Sequence, residues 1–208
     1  MFVQALPKGT RRNLALLAKA GLTAPFYLAG GTAAALHLGH RISVDLDFFG
    51  PEPFDSAQLA AQLSDLGKFR LERLAEDTLL GELRGIRISF FRYRYPLIAE
   101  PVSVLGITVA SLEDIAAMKL DAISRRGTRR DFIDLYFIAQ SGLALPEALQ
   151  WYQRKYAGLN LNLVHLVKSL AYFADAEADP MPQMLVDLSW DEVKRFFERE
   201  ARSLFKTL

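Results

Sequence analysis

The stretch FYLAGGTAAALHLGHRISVDLDFFG, residues 26–50, sets two aspartates inside a run of large apolar side chains, where charge is costly. Its first residues read as an apolar strand that stops at the paired glycines Gly30 and Gly31. TAAALHLG has the propensity and length of a two-turn helix closed by Gly39, and ISVDLDFF reads as the next strand, ended by Gly50 and Pro51. Strand alternation sets Ser43, Asp45, Asp47 and Phe49 on one face and Val44, Leu46 and Phe48 on the other. Two carboxylates pointing the same way raise each other's proton affinity unless a cation lies between them. An oxygen pair completed by phosphate and water suits Mg²⁺ or Mn²⁺. Taken alone, Asp-x-Asp also fits an edge strand with both acids solvated. The order of elements shifts the reading: strand, Gly-Gly-Thr, short helix, strand with Asp-x-Asp. Paired glycines let the backbone approach a ligand closely, and the helix amino terminus offers unpaired N–H groups to a phosphate. Thr32 adds a hydroxyl, as helix cap or phosphate donor.

The rest of the chain bounds what such a motif can belong to. With 208 residues, 51% of them hydrophobic, it can bury a full core, as one domain or one domain with an appendage. Lys and Arg number 25 against 24 Asp and Glu, so overall charge gives no argument for a polyanionic partner and any such argument must be local. The absence of cysteine excludes a disulfide scaffold and a thiolate metal site, and fits a reducing compartment. His37, His40 and His165 are too scattered for a zinc site. No apolar run reaches the ~18 residues of a membrane span, so the expectation is a soluble, cytoplasmic protein without a membrane partner.

Upstream, GTRRNLALLAKAGL reads as a helix with Thr10 as candidate cap, and downstream DSAQLAAQLSDLG reads as another. Residues 69–98 alternate like two or three strands, and from Ser103 the pattern is mostly helical. Capping boxes are predicted at Ser111 with Asp114, Thr128 with Asp131 and Ser189 with Glu192, and helices near 146–156, 160–173 and 190–206. DAEADPMPQML, residues 175–185, reads as a linker or an ordered surface loop. The expected fold is α/β in the α+β sense: a mixed-sheet core over residues 1–108, then a helical part over 109–208.

GGTAAALHLGHRISVDLDFF, residues 30–49, resembles the first motif of nucleotidyltransferases of the DNA-polymerase-β-like superfamily. The closer resemblance is to the AbiEii type, the toxins of type IV toxin-antitoxin systems, through its GGT…HR.S.D.D string. RDFIDLY, residues 130–136, and the Asp175–Pro182 segment are similar to that family too, so the likeness runs from Phe26 to the final helix. It implies a nucleotidyltransferase-type sheet and Mg²⁺-dependent transfer of a nucleoside monophosphate from an NTP to an acceptor hydroxyl. The acceptor it implies is RNA, such as a tRNA 3′ end, and a cognate antitoxin protein is the implied partner. Asp45 and Asp47 would hold the metal, with the triphosphate seated on Gly30, Gly31 and Thr32; Arg41 and Ser43 would assist, though each also fits a plain turn residue.

Lys119 sits in an apolar stripe of Ile115, Ala116, Ala122 and Ile123. Its position alone fits a stem that covers apolar surface while the ammonium reaches water; the resemblance implies a phosphate-binding, catalytic lysine. Asp134 lies among Phe132, Ile133, Leu135, Tyr136 and Phe137, so it should meet a cation, Lys119 or an arginine, and the resemblance puts it in the active site. Asp131 fits either a helix cap or that site. Arg125 and Arg126, with Arg129 and Arg130, form one basic cluster; Arg84, Arg87, Arg92 and Arg94 form another among aromatics. Such clusters are usually solvated faces, but they also suit a triphosphate and a nucleic acid. Many members of the wider superfamily carry a third carboxylate on a later strand, where GIRISFFRYR offers only Ser89 or Arg87. Two rival readings follow: a catalytically weak relative that binds nucleotide or RNA, and an enzyme that nucleotidylates protein.

Overall fold

A computed structural model describes residues 1–207. The elements run α1 (Lys8–Lys19), β1 (Tyr27–Ala29), α2 (Gly30–Leu38), β2 (Leu46–Gly50), α3 (Ser56–Asp65), β3 (Phe69–Ala75), β4 (Thr78–Leu83), β5 (Ile86–Arg92), β6 (Val102–Val104) and β7 (Ile107–Val109). The helical half follows as α4 (Leu112–Arg126), α5 (Arg129–Gln140), α6 (Leu145–Lys155), α7 (Leu163–Ser169), α8 (Ala174–Glu177) and α9 (Trp190–Phe205). The strands form one seven-stranded mixed sheet in the order β3-β4-β5-β2-β1-β7-β6. The two motif strands lie at its centre: β2 is antiparallel to β1 and parallel to β5, and β1 is parallel to β7.

Alternation along the central strands separates two faces. Leu46 and Phe48 of β2, Leu79 and Leu83 of β4 and Ile88 and Phe90 of β5 are all buried, with the Phe48 and Phe90 rings stacked at 5.0 Å. Asp47 and Phe49 take the opposite face, beside Ser89 and Phe91 of β5. α2 is apolar all round: Ala33, Ala34, Ala35 and Leu36 have no solvent exposure, and these small side chains let α4 and α5 close in on it. One continuous hydrophobic core therefore joins the sheet to the helical half, from Ala5 to Leu204.

Several elements differ from expectation for local reasons. Thr10 lies inside α1, whose cap position is Pro7, and its hydroxyl donates to the Val44 carbonyl at 3.2 Å. The second motif strand begins at Leu46, because residues 41 and 42 pair instead with the late loop: Arg41 bridges Met184, and the Ile42 N–H donates to Gln183 O at 2.8 Å. The helical pattern expected from Ser103 starts only after the β6–β7 hairpin, whose strands are too short to show alternation. Its turn residues Leu105 and Gly106 both have positive φ, as a tight hairpin demands. The box at Thr128 and Asp131 forms as read. At Ser111 and Ser189 the hydroxyl caps its helix, but neither acid closes the box: Asp114 accepts from the Ser111 hydroxyl at 2.8 Å and Glu192 from the Tyr136 hydroxyl at 2.6 Å.

Asp114 is fully buried and pairs with the equally buried Lys155 at 2.6 Å. It also accepts from the Ile98 N–H at 3.0 Å and the Ser111 hydroxyl at 2.8 Å, while Lys155 donates to Pro96 O at 2.8 Å. This pair fastens the coil after β5 to α4 and α6. Removing one partner strands a buried charge, so Lys155→Met should lower unfolding free energy by about 3–5 kcal/mol in urea titration. The double variant Lys155→Met/Asp114→Asn should recover part of that loss.

Candidate active site

The two motif strands, the amino terminus of α2 and one face of α4 enclose a cavity of about 350 Å³. Its lining divides by chemistry. Gly30 and Gly31 present the start of α2, and Asp45 and Asp47 project from the loop before β2 and from β2 itself. Lys119 faces them from α4, and Phe49, Ile115, Met118 and Ala122 supply an apolar wall. The first N–H groups of α2 have no intrahelical partner, and Ala29 in the cap position offers no side-chain oxygen to them. They remain available to an anion.

Both glycines are required by what lies beside them. Gly30 has φ +66°, and a Cβ there would sit 3.3 Å from Asp47 Oδ2. A Cβ on Gly31 would overlap Arg41 Nη2, so the guanidinium lies directly beneath the turn. Thr32 is neither cap nor free donor. Its buried hydroxyl bonds the Asp45 carbonyl and shares a 2.9 Å hydrogen bond with Ser43 Oγ, which fixes the chain entering β2.

Behind this lining, Asp134 of α5 is fully buried and collects cations from two directions. Arg41 grips it bidentately, Nε to Oδ1 at 2.7 Å and Nη2 to Oδ2 at 2.9 Å. His40 Nε2 lies 2.8 Å from Oδ1, and Lys119 Nζ lies 2.7 Å from Oδ2. Lys119 also donates to Asp131 Oδ1 at 2.7 Å, while Asp131 Oδ2 closes the Thr128 box. Asp131 thus caps α5 and lines the cavity at the same time. Burial pushes Asp134 up, but Lys119, Arg41 and His40 outweigh it and hold the carboxyl well below the usual range. Asp131 is likewise held low by Lys119 against its own burial. Burial lowers Lys119, yet its two aspartates hold it above the ordinary lysine value, so it is a fixed positive charge at neutral pH. Its ammonium does not reach bulk water; it is 7% exposed and ion-paired.

Asp47 is the counter-example. Burial raises its pKa and Asp45 adds to the rise, against a lowering by Ser89 and the more distant Lys119. Arg41 and Lys119 are ion-paired to Asp134 and Asp131, and neither Asp45 nor Asp47 has a direct ion pair among the described residues. That donor set, all oxygen beside an anion-binding helix start, fits a hard divalent cation sharing ligands with phosphate and water. Register puts Ser89 beside Asp47, in the slot where a third acid was sought, and no group of three His, Asp or Glu side chains gathers among the described residues.

The remaining predicted residues separate. Ser43 lines the cavity, and so does Arg41, held down by Asp134. Asp134 itself does not line it. Arg125 and Arg126 are exposed at the end of α4, Arg125 paired with Asp121 at 3.0 Å, and neither reaches the cavity. Arg130, the last of that cluster, does reach it. Position in sequence gives no way to rank the four arginines; the folded chain brings only Arg130 to the cavity. His40, too far from the other histidines in sequence for a zinc site, instead joins Arg41 on Asp134.

Among the described residues no helix is long and apolar enough to cross a membrane. The chain matches the profile of the family described as nucleotidyl transferase AbiEii toxin, type IV TA system, over residues 14–104 and 92–206. It is 40% identical over 205 residues to the uncharacterized protein aq_aa25 of Aquifex aeolicus (strain VF5), covering 96% of this chain and 98% of that protein. Its fold is similar to that of an H. pylori protein assigned as a nucleotidyltransferase, with TM-score 0.58, 19% identity and 97% of each chain covered. It is also similar to MenT4, the nucleotidyltransferase toxin Rv2826c of Mycobacterium tuberculosis H37Rv, with TM-score 0.57, 18% identity, 92% of this chain and 82% of that one. Those identities speak to the fold; the family rests on a profile match that spans most of the sequence. A glycine turn at a helix start, an acid pair at the start of the next strand and a fixed lysine opposite are thus set within a chain that belongs to the AbiEii nucleotidyltransferase toxin family.

Proposed function

We propose that the protein moves a nucleoside monophosphate from an NTP to an RNA hydroxyl, the 3′ end of a tRNA, with Mg²⁺ or Mn²⁺, as a toxin restrained by a cognate antitoxin. The observation that carries this reading is the shared cavity, in which the acid pair, the free N–H groups of α2 and the Lys119 ammonium face one another. Asp45 and Asp47 would hold the divalent cation, which supplies charge neutralisation at the phosphates. Gly30 and Gly31 present backbone donors to the triphosphate, and Lys119 adds a charge that Asp131 and Asp134 keep in place. The acceptor oxygen forms its bond to the α-phosphorus as the bond from that phosphorus to the bridging oxygen breaks. Pyrophosphate leaves with the electron pair, and the hydroxyl proton passes to water. Positioning does most of the work, since no side chain needs to react covalently.

Incubation with each of the four labelled triphosphates, Mg²⁺ and total tRNA tests the reading. Label in RNA supports it; label only in protein assigns the acceptor to a protein hydroxyl; no label assigns the chain to binding without turnover. Asp47→Asn should reduce labelling at least ~100-fold. The same change should leave the metal-free protein as stable or more stable. A carboxyl whose pKa is raised by folding favours the folded state as pH falls through that raised value and opposes it above, so removing its charge at neutral pH relieves a penalty. Calorimetry at pH 7 without metal checks this sign.

Lys119→Met should lower the single-turnover rate by roughly 10²–10³-fold, the scale of one lost transition-state charge contact. It should also melt below the wild type, because Asp131 and Asp134 lose their shared cation.

A further inference from the structure

Beside the triphosphate cavity lies a second one, of about 400 Å³. The two share Arg41, Ser43, Asp45 and Arg130, so they meet at Asp45. The outer wall of the second is the segment Asp179–Gln183, part of the proline-bearing stretch that the proposed chemistry leaves without a task. The wall is fastened to the catalytic loop: Gln183 O accepts from the Ile42 N–H at 2.8 Å, and the Leu185 N–H donates to His40 O at 2.9 Å. Asp179 Oδ2 accepts from the Arg129 N–H at 3.0 Å, tying the other end to the start of α5.

We propose that this second cavity is the acceptor subsite, which seats the terminal nucleotide of a single-stranded RNA 3′ end. The proposal rests on the triphosphate occupying the first cavity, as set out above. The first cavity contains the free helix N–H groups and Lys119; the second has neither, but it opens onto the same Asp45. A hydroxyl entering from the second cavity therefore meets the α-phosphate at the acid pair.

The lining suits a nucleotide. Val44 is 38% exposed and lines this cavity with Pro180, Met181 and Pro182, apolar surfaces against which a base or ribose can pack. Arg130 is exposed and has no ion pair among the described residues, unlike Arg129 beside it, which is spent on Glu177 and the Trp190 ring. A free guanidinium at the mouth matches a phosphodiester, the one charge that an RNA end carries and a serine or tyrosine side chain of a protein substrate does not.

Gln183 lies on the wall of the second cavity only, with its side chain exposed, so its charge can be changed without touching the triphosphate or the core. In steady-state labelling of tRNA by the full chain, Gln183→Glu should raise KM for RNA about five-fold and Gln183→Lys should lower it. Both effects should shrink with added salt, and KM for the triphosphate should stay within about two-fold. Arg130→Ala should raise KM for RNA and flatten its log–log salt dependence by about 0.7, the value for one single-strand phosphate contact. If RNA is labelled but the two Gln183 variants leave KM for RNA unchanged, or Arg130→Ala raises KM for the triphosphate instead, the subsite is wrong while the enzyme reading stands. If the wild type labels protein and not RNA, the acceptor reading fails and takes the subsite with it.

Discussion

The arrangement depends on one buried carboxylate. Asp134 has no exposure and takes contacts from His40, both prongs of Arg41 and Lys119. Those partners come from the loop after α2 and from α4, so a single acid on α5 fixes the two elements whose faces form the cavity. A buried ionic cluster adds little net stability over apolar packing of the same volume, and its use here is geometric. With Arg41 pinned beneath Gly31 and Lys119 pinned opposite Asp47, positive charge is placed before any ligand arrives.

The same cluster explains why Asp47 behaves differently from Asp131 and Asp134. Asp131 and Asp134 are satisfied, whereas Asp47 is strained by burial and by Asp45, with Ser89 where another acid would have made the repulsion worse. The strain is of the kind a nearby cation relieves, and it sits beside the uncapped start of α2.

The carboxy-terminal half is part of the site. α4 and α5 supply Lys119, Arg130, Asp131 and Asp134, and the loop before α9 is hydrogen-bonded to residues 40–42. The core is continuous across both halves, and the family profile likewise matches on both sides of residue 104.

Much of this was legible in the chain itself. The glycine pair, the outward face of Asp47 on β2, the αL closure at Gly39 and the apolar surroundings that require a partner for Asp134 all follow from local geometry and burial, which a few neighbouring residues specify. What tertiary structure alone decided are the pairings between residues far apart in sequence. Thr32 could have capped its helix, but folding brought the Asp45 carbonyl within reach and the hydroxyl took that partner. Lys155 gave no sign of Asp114, Arg130 none of its separation from Arg125 and Arg126, and residues 102–109 none of the sheet edge they complete. A short strand or a lone charge has no pattern of its own; its partner defines it, and only the packed chain brings the partner near.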